Sequence, residues 1–144
     1  MKKQYTLSCN IAQTLNLIGD KWSLLILHEL LMGRQTFNEI QQGLETIPVN
    51  LLSNRLKRLE EDGLISSELY QTHPPRYKYL LSASGADLGD VFNSLIIWGN
   101  KHLEPAFKKV VHKECGHTVE IQYFCPHCNK GISQEECISC AIEE

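Results

Sequence analysis

Residues 36–81 read TFNEIQQGLETIPVNLLSNRLKRLEEDGLISSELYQTHPPRYKYLL. The stretch opens on a capping box, Thr36-Phe37-Asn38-Glu39: a hydroxyl and a carboxylate three residues apart each accept a backbone N–H that a first helical turn leaves without a partner. A short helix over 37–43 follows. Pro48, suited to a first helical turn, then opens a second helix that runs to Asp62 and stops at Gly63. At about 100° per residue, Val49, Leu52, Leu56 and Leu59 share one side of it, while Asn50, Ser53, Asn54, Lys57 and Arg58 cluster on the other. Residues 64–70 and 77–81 have strand-forming side chains. Between them Gln71-Thr72-His73-Pro74-Pro75-Arg76 makes a turn that no helix crosses.

Two short helices joined by a tight loop and followed at once by a hairpin are the order of a winged helix-turn-helix, whose second helix enters the major groove. The fold class expected is therefore mainly α with a small β-hairpin wing. A single helix with one polar side is ordinarily a solvated surface helix; the ordered combination of box, turn, polar-faced helix and proline-tipped hairpin is what points to nucleic acid. Lys57 and Arg58 can neutralise phosphate or reach guanine, Asn50 and Asn54 carry the paired donor and acceptor that adenine presents, and Ser53 suits either. His73, Arg76 and Lys78 on the hairpin can lie along the backbone or the minor groove.

Outward from this unit the pattern stays helical. Ser8 is the expected N-cap of a helix over 9–18, in which Ile11, Leu15 and Ile18 recur at helical spacing. Asp20 is the expected cap of a helix over 21–32 that is apolar nearly all round, with Gly33 as its left-handed C-cap. From Ser82 or Ser84 a long amphipathic helix carries Leu88, Val91, Phe92, Leu95 and Trp98 on one stripe, ending or kinking near 99–105. Beyond Val111 this pattern fails and no internal repeat is evident.

The 144 residues are 42% hydrophobic and 22% charged, a globular composition large enough for a core without disulfides. The net charge of −3 is uneven: from 110 onward Lys113 and Lys130 stand against six glutamates, leaving the first 109 residues mildly basic. A polyanion partner must then bind a local patch. The longest apolar run, 22–31, is interrupted by His28 and Glu29 and falls short of a membrane span. Only five residues, 4–8, separate Lys2 and Lys3 from Cys9, too few for a signal peptide's apolar region, so a cytoplasmic protein with no membrane partner is expected. There is no Gly-rich phosphate loop, HExxH or GxSxG stretch, and no enzymatic activity is expected.

Six cysteines in a reducing compartment call for a metal or redox explanation. Cys125-Pro126-His127-Cys128 and Cys137-Ile138-Ser139-Cys140 are two CxxC pairs, the spacing that sets two thiolates on one zinc. Cys115 and His117 are the alternative partners for Cys125 and Cys128, because the loop between the two CxxC pairs is short for a zinc ribbon. Spacing alone leaves the choice open. So short a segment, poor in large apolar residues, would need the metal in order to fold, making a structural Zn2+ the expected cofactor. Two regions follow: a DNA-binding domain over 1–111, and a cysteine-rich, zinc-ribbon-like tail over 112–144.

CNIAQTLNLIGDKWSLLILHELLMGRQTFNEI, LLSNRLKRLEEDGLI and HPPRYKYLLSASG, with Trp98 beyond them, together resemble the HxlR-type (MarR-like) family of bacterial winged-helix transcription regulators. The resemblance covers roughly Cys9 to Gly99. It implies a homodimer formed by the outer helices on a double-stranded, pseudo-palindromic operator, repression of transcription, 48–62 as recognition helix, and Arg55 as its internal arginine. Two departures stand out: Lys78 occupies a position usually acidic, and Thr36 one commonly basic. Several regulators of this type respond to oxidants or electrophiles through a cysteine placed like Cys9, which implies a sensing role here. A single cysteine near a chain start is otherwise a small buried hydrophobe, but at a helix start the macrodipole favours negative charge. The alternative readings are a zinc-dependent protein-interaction module and a metal- or redox-responsive regulator switched through the tail cysteines.

Overall fold

A computed structural model describes residues 4–45, 47–133, 135 and 141. The elements are α1 (Asn10–Ile18), α2 (Ser23–Leu31), α3 (Phe37–Leu44), α4 (Val49–Glu61), β1 (Ile65–Thr72), β2 (Pro75–Leu81), α5 (Ala83–Asp87), α6 (Gly89–His102), β3 (Tyr123–Cys125) and β4 (Lys130–Ile132). They group into two compact units, Met1–Phe92 and Asn93–Glu144, so the division falls within α6, whereas the sequence placed it between 111 and 112.

In the first unit Ile26 and Leu27 of α2, Ile40 of α3 and Leu52, Leu56 and Leu59 of α4 are fully buried, with Leu64, Ile65 and Phe92 joining them. Three of the four apolar positions that helical spacing singled out in α4 are thus buried, leaving the opposite side of that helix to solvent; the fourth, Val49 in the first turn, is exposed because none of the described residues covers that end of the helix. The capping box forms as read. Thr36 Oγ1 accepts from Glu39 N–H at 3.2 Å, and Glu39 Oε2 accepts from the N–H groups of Gln35 and Thr36 at 2.8 and 3.2 Å. Those donors hold the Glu39 carboxyl below its ordinary range. Gly33 and Gly63 close α2 and α4 at φ values of 91° and 77°, conformations that only glycine adopts without strain.

β1 and β2 pair antiparallel from Ile65↔Leu81 to Thr72↔Pro75, with an irregularity between Leu69 and Gln71. The segment before α3 joins this hairpin, since Thr36 bridges Lys78 and Tyr79 N–H donates to Gln35 O at 2.8 Å. The wing is thereby tied to the first helix of the motif, a link that sequence periodicity does not carry.

Elsewhere the structure corrects the sequence reading. Cys9, not Ser8, is the N-cap residue of α1, without a side-chain cap bond. Ile11 and Leu15 do not share the core with Ile18: they are 72% and 43% exposed, whereas Ala12 and Ile18 are buried. Leu25, Leu31 and Met32 likewise face outward, because a helix packed on one side covers only that side. The single long helix expected from 82 or 84 is broken into α5 and α6 at Leu88. Ser82 caps α5 through Gly85 N–H, and a Cβ at Gly85 would stand 2.2 Å from the Leu64 carbonyl oxygen, so a side chain there would push α5 off the end of α4. Of the predicted stripe, Phe92 is buried and Leu88 half-buried, but Val91, Leu95 and Trp98 are exposed. No helix among the described residues is long and apolar enough to cross a membrane.

In the second unit two small hairpins follow α6. Val111 bridges Thr118, and β3 pairs antiparallel with β4.

Candidate nucleic-acid interface and cysteine tail

α4 presents Asn50, Ser53, Asn54 and Lys57 to solvent, all four exposed. Spaced over two turns on one side of a helix that buries Leu52, Leu56 and Leu59 on the other, they form a row of donors and acceptors that a groove can meet. Arg58 departs from the expectation. It lies about 80° round the helix from Asn50, and its side chain, 25% exposed, donates from Nη2 to the Asn16 carbonyl at 2.8 Å while Nε lies 3.7 Å from Asp62 Oδ2. Its guanidinium therefore ties α4 to the end of α1, and what it offers a groove is reduced accordingly.

Arg55 is internal, as the resemblance implied. Its Nε lies 2.9 Å from Asp20 Oδ2, with the two side chains 22% and 4% exposed. Asp20 also accepts from Trp22 and Ser23 N–H at 3.2 and 3.1 Å and from the Ser23 hydroxyl. One carboxylate therefore caps the entry to α2 and fixes the angle at which α4 is presented.

On the wing, His73 and Arg76 are exposed. Lys78 is half-buried with Nζ 3.8 Å from Glu68 Oε2, so the positive charge it was expected to add has a carboxylate beside it. Among the described residues neither Lys57 nor Arg76 is paired with a carboxylate. Between the wing and the start of α3 lies a cleft of about 370 Å³, with Thr36 and Asn38 on one wall and Tyr70, Arg76 and Tyr77 on the other. Sequence periodicity gave no sign that Asn38, Tyr70 and Tyr77 line one cleft, since it is the Thr36–Lys78 bridge and the Tyr79 N–H bond to Gln35 O that bring the two walls together.

Cys9 is exposed, its N–H bonded to Leu7 O at 2.9 Å. In the tail, Cys128 N–H donates to Cys125 Sγ at 3.5 Å, and Cys115 Sγ lies 3.4 Å from His112 Nδ1. Hydrogen bonds from the Cys128 backbone and thiol, then from His127 N–H, hold the Cys125 thiol below its ordinary range. Cys125 and Cys128 thus face one tight turn, with the Cys128 backbone N–H bonded to the Cys125 sulfur. Cys137 and Cys140 lie outside the described residues. Among the described residues no three candidate ligands come together.

The HxlR-like helix-turn-helix family matches residues 17–107, a span that takes in α2 to α4, the wing and α6. The chain belongs to this family. The HTH-type transcriptional regulator Rv3095 of Mycobacterium tuberculosis is 34% identical over 127 residues, covering 86% of this chain and 80% of its own. Among solved structures, PA1374 from Pseudomonas aeruginosa superposes with a TM-score of 0.70 at 31% identity, covering 92% of each chain. The redox regulator HypR in its oxidized form superposes with a TM-score of 0.58 at 30% identity, covering 71% of this chain and all of HypR. This HxlR-type chain is a DNA-binding transcriptional regulator of winged-helix fold, with α3 and α4 as its helix-turn-helix.

Proposed function

We propose that the protein is a homodimeric, cytoplasmic repressor that binds a pseudo-palindromic double-stranded operator, with α4 in the major groove and the wing along the backbone. The observation that carries this reading is the exposed row Asn50, Ser53, Asn54 and Lys57 on a helix buried on its other side. The cleft beside Arg76, with the Thr36 hydroxyl and the Asn38 amide, suits a phosphate of the flanking strand. Two exposed apolar faces favour dimerisation by the outer helices: Tyr5, Leu7, Ile11 and Leu15 along α1, and Leu95 and Trp98 on α6.

Two substitutions on α4 test the interface, with fluorescence anisotropy on operator DNA as the affinity readout and urea denaturation as the stability readout. Lys57→Ala is expected to weaken binding about tenfold or more with unchanged stability, because its side chain is exposed and unpaired. Arg58→Ala is expected to lower stability first, by about 1–2 kcal/mol, through loss of the charged donor to Asn16 O. Unchanged affinity in Lys57→Ala would remove α4 as the reading element.

Cys9 is the proposed oxidant- or electrophile-sensing thiol. It is exposed, stands at a helix start, and the chain resembles the redox regulator HypR. Diamide or a quinone is expected to change operator affinity of the wild type at least about tenfold, a coupling of roughly 1.4 kcal/mol, and to leave Cys9→Ser unmoved. An equal response in Cys9→Ser, abolished instead by serine at Cys125 and Cys128, would move the switch to the tail.

The tail is proposed to hold a structural zinc on Cys125 and Cys128 with a second pair, Cys137 and Cys140 or Cys115 and a histidine. When bound, the ion would supply folding free energy to a segment whose described residues include no buried side chain.

A further inference from the structure

Residues 110–119 and 123–132 form the same hairpin, offset by thirteen residues. In the first, Val119 N–H donates to Val110 O at 3.1 Å, Val111 bridges Thr118, and His112 N–H donates to His117 O at 2.9 Å. In the second, Tyr123 pairs with Ile132, Phe124 with Gly131 and Cys125 with Lys130. The registers coincide position for position. The turns coincide too, since the residue after the last turn cysteine has positive φ in both, 71° at Gly116 and 52° at Asn129. This alignment sets His112 against Cys125 and Cys115 against Cys128. Sequence reading found no repeat because the cysteine is the only residue the two hairpins share at equivalent positions.

We propose that the two turns are the halves of one tetrahedral zinc site, ligated by His112, Cys115, Cys125 and Cys128, with His117 and the Cys137–Cys140 pair outside it. The proposal rests on the reading of the tail as zinc-stabilised and names its ligands. Two ligands on one tetrahedral zinc, with Zn–N about 2.0 Å and Zn–S about 2.3 Å, stand about 3.5 Å apart, which is the spacing of His112 Nδ1 and Cys115 Sγ at 3.4 Å. In the second turn the Cys128 N–H already bonds Cys125 Sγ, the outer-shell contact that steadies a thiolate ligand. His117, by register, is the equivalent of Lys130, whose protonated amine has no lone pair to offer zinc at neutral pH.

Topology is compatible with closure. The leg 110–112 runs toward the first turn, 117–119 runs away from it, and 123–125 runs toward the second turn, so a reversal at the 120–122 link, which has no turn or bend in this structure, would set both turns at one end. No cluster of three ligands stands ready among the described residues, so metal binding and docking of the two hairpins are one event, driven by the ion.

The test uses the full chain purified anaerobically. Zinc is measured by elemental analysis, and the native protein is then alkylated with iodoacetamide and mapped by mass spectrometry. About one zinc per chain is expected, with Cys115, Cys125 and Cys128 protected until a chelator is added and Cys9, Cys137 and Cys140 labelled throughout. Zinc with Cys137 and Cys140 protected and Cys115 labelled overturns this ligand set and leaves the zinc tail standing. Absence of zinc, with all six cysteines labelled, overturns both. In cobalt titrations, His112→Ala is expected to lower metal affinity by more than about 100-fold, beyond the loss typical of an outer-shell change. His112→Cys restores the affinity with the charge-transfer bands of a four-thiolate site, and His117→Ala leaves it unchanged. The reverse pattern for the two histidines would overturn the assignment.

Discussion

Asp20→Ala is expected to lower the free energy of unfolding by about 3–5 kcal/mol, the range found when one partner of a buried ion pair is removed. Urea denaturation of the full chain reads it directly. The size follows from what the carboxylate does. Its side chain is 4% exposed, its Oδ2 lies 2.9 Å from Arg55 Nε, and it accepts the N–H groups of Trp22 and Ser23 where the chain enters α2. Alanine would leave a guanidinium that is only 22% exposed without its counter-charge and two backbone donors without an acceptor. Asp20→Asn keeps an acceptor for the cap while removing the charge, so it should fall between the two. A loss below about 1 kcal/mol in Asp20→Ala would show that Arg55 finds another partner and that α2 and α4 are not held together here.

Operator affinity is expected to fall about 100-fold between 50 and 200 mM salt. Lys57 and Arg76 are the cations on α4 and the wing that no carboxylate neutralises among the described residues. In a dimer they make four phosphate-neutralising groups, and counterion release at about 0.9 per phosphate gives a slope near −3.6 in log affinity against log salt. Lys57→Ala removes two of the four and should halve the slope. With a net charge of −3 the chain as a whole has no attraction to a polyanion, so the slope reports the local patch. A slope shallower than about −1 for the wild type would sink the proposed interface, whatever its affinity at low salt.

The parts of the fold readable from the chain are those decided by neighbours in sequence. Thr36 and Glu39 cap α3 because they stand three residues apart, Gly33 and Gly63 end helices because no other residue takes their backbone angles cheaply, and a chain reaching Pro74-Pro75 cannot continue as a helix, so it turns at His73-Pro74 and re-enters the hairpin at Pro75. Leu52, Leu56 and Leu59 had to share a side, and Asn50, Ser53, Asn54 and Lys57 had to share the other. These local rules are enough to specify a winged helix-turn-helix with a polar-faced second helix.

What depends on distant contacts came only with the fold. Periodicity shows that a helix has an apolar side but not whether anything covers it; hence Ile11 and Leu15 of α1, and Trp98 of α6, carry the pattern of core residues and stand exposed. A charged side chain on a polar flank looks like a ligand for DNA until its reach is known, and Arg58 turns back to a carbonyl 42 residues away in sequence. The cleft beside Arg76 exists because Thr36 pairs with Lys78. The equivalence of the two tail hairpins resides in backbone pairing and the sign of φ, which residues as unlike as His112 and Cys125 can share. Side-chain identity governs local geometry within a few residues, whereas register, cover and reach are set by which surfaces meet when the chain closes on itself.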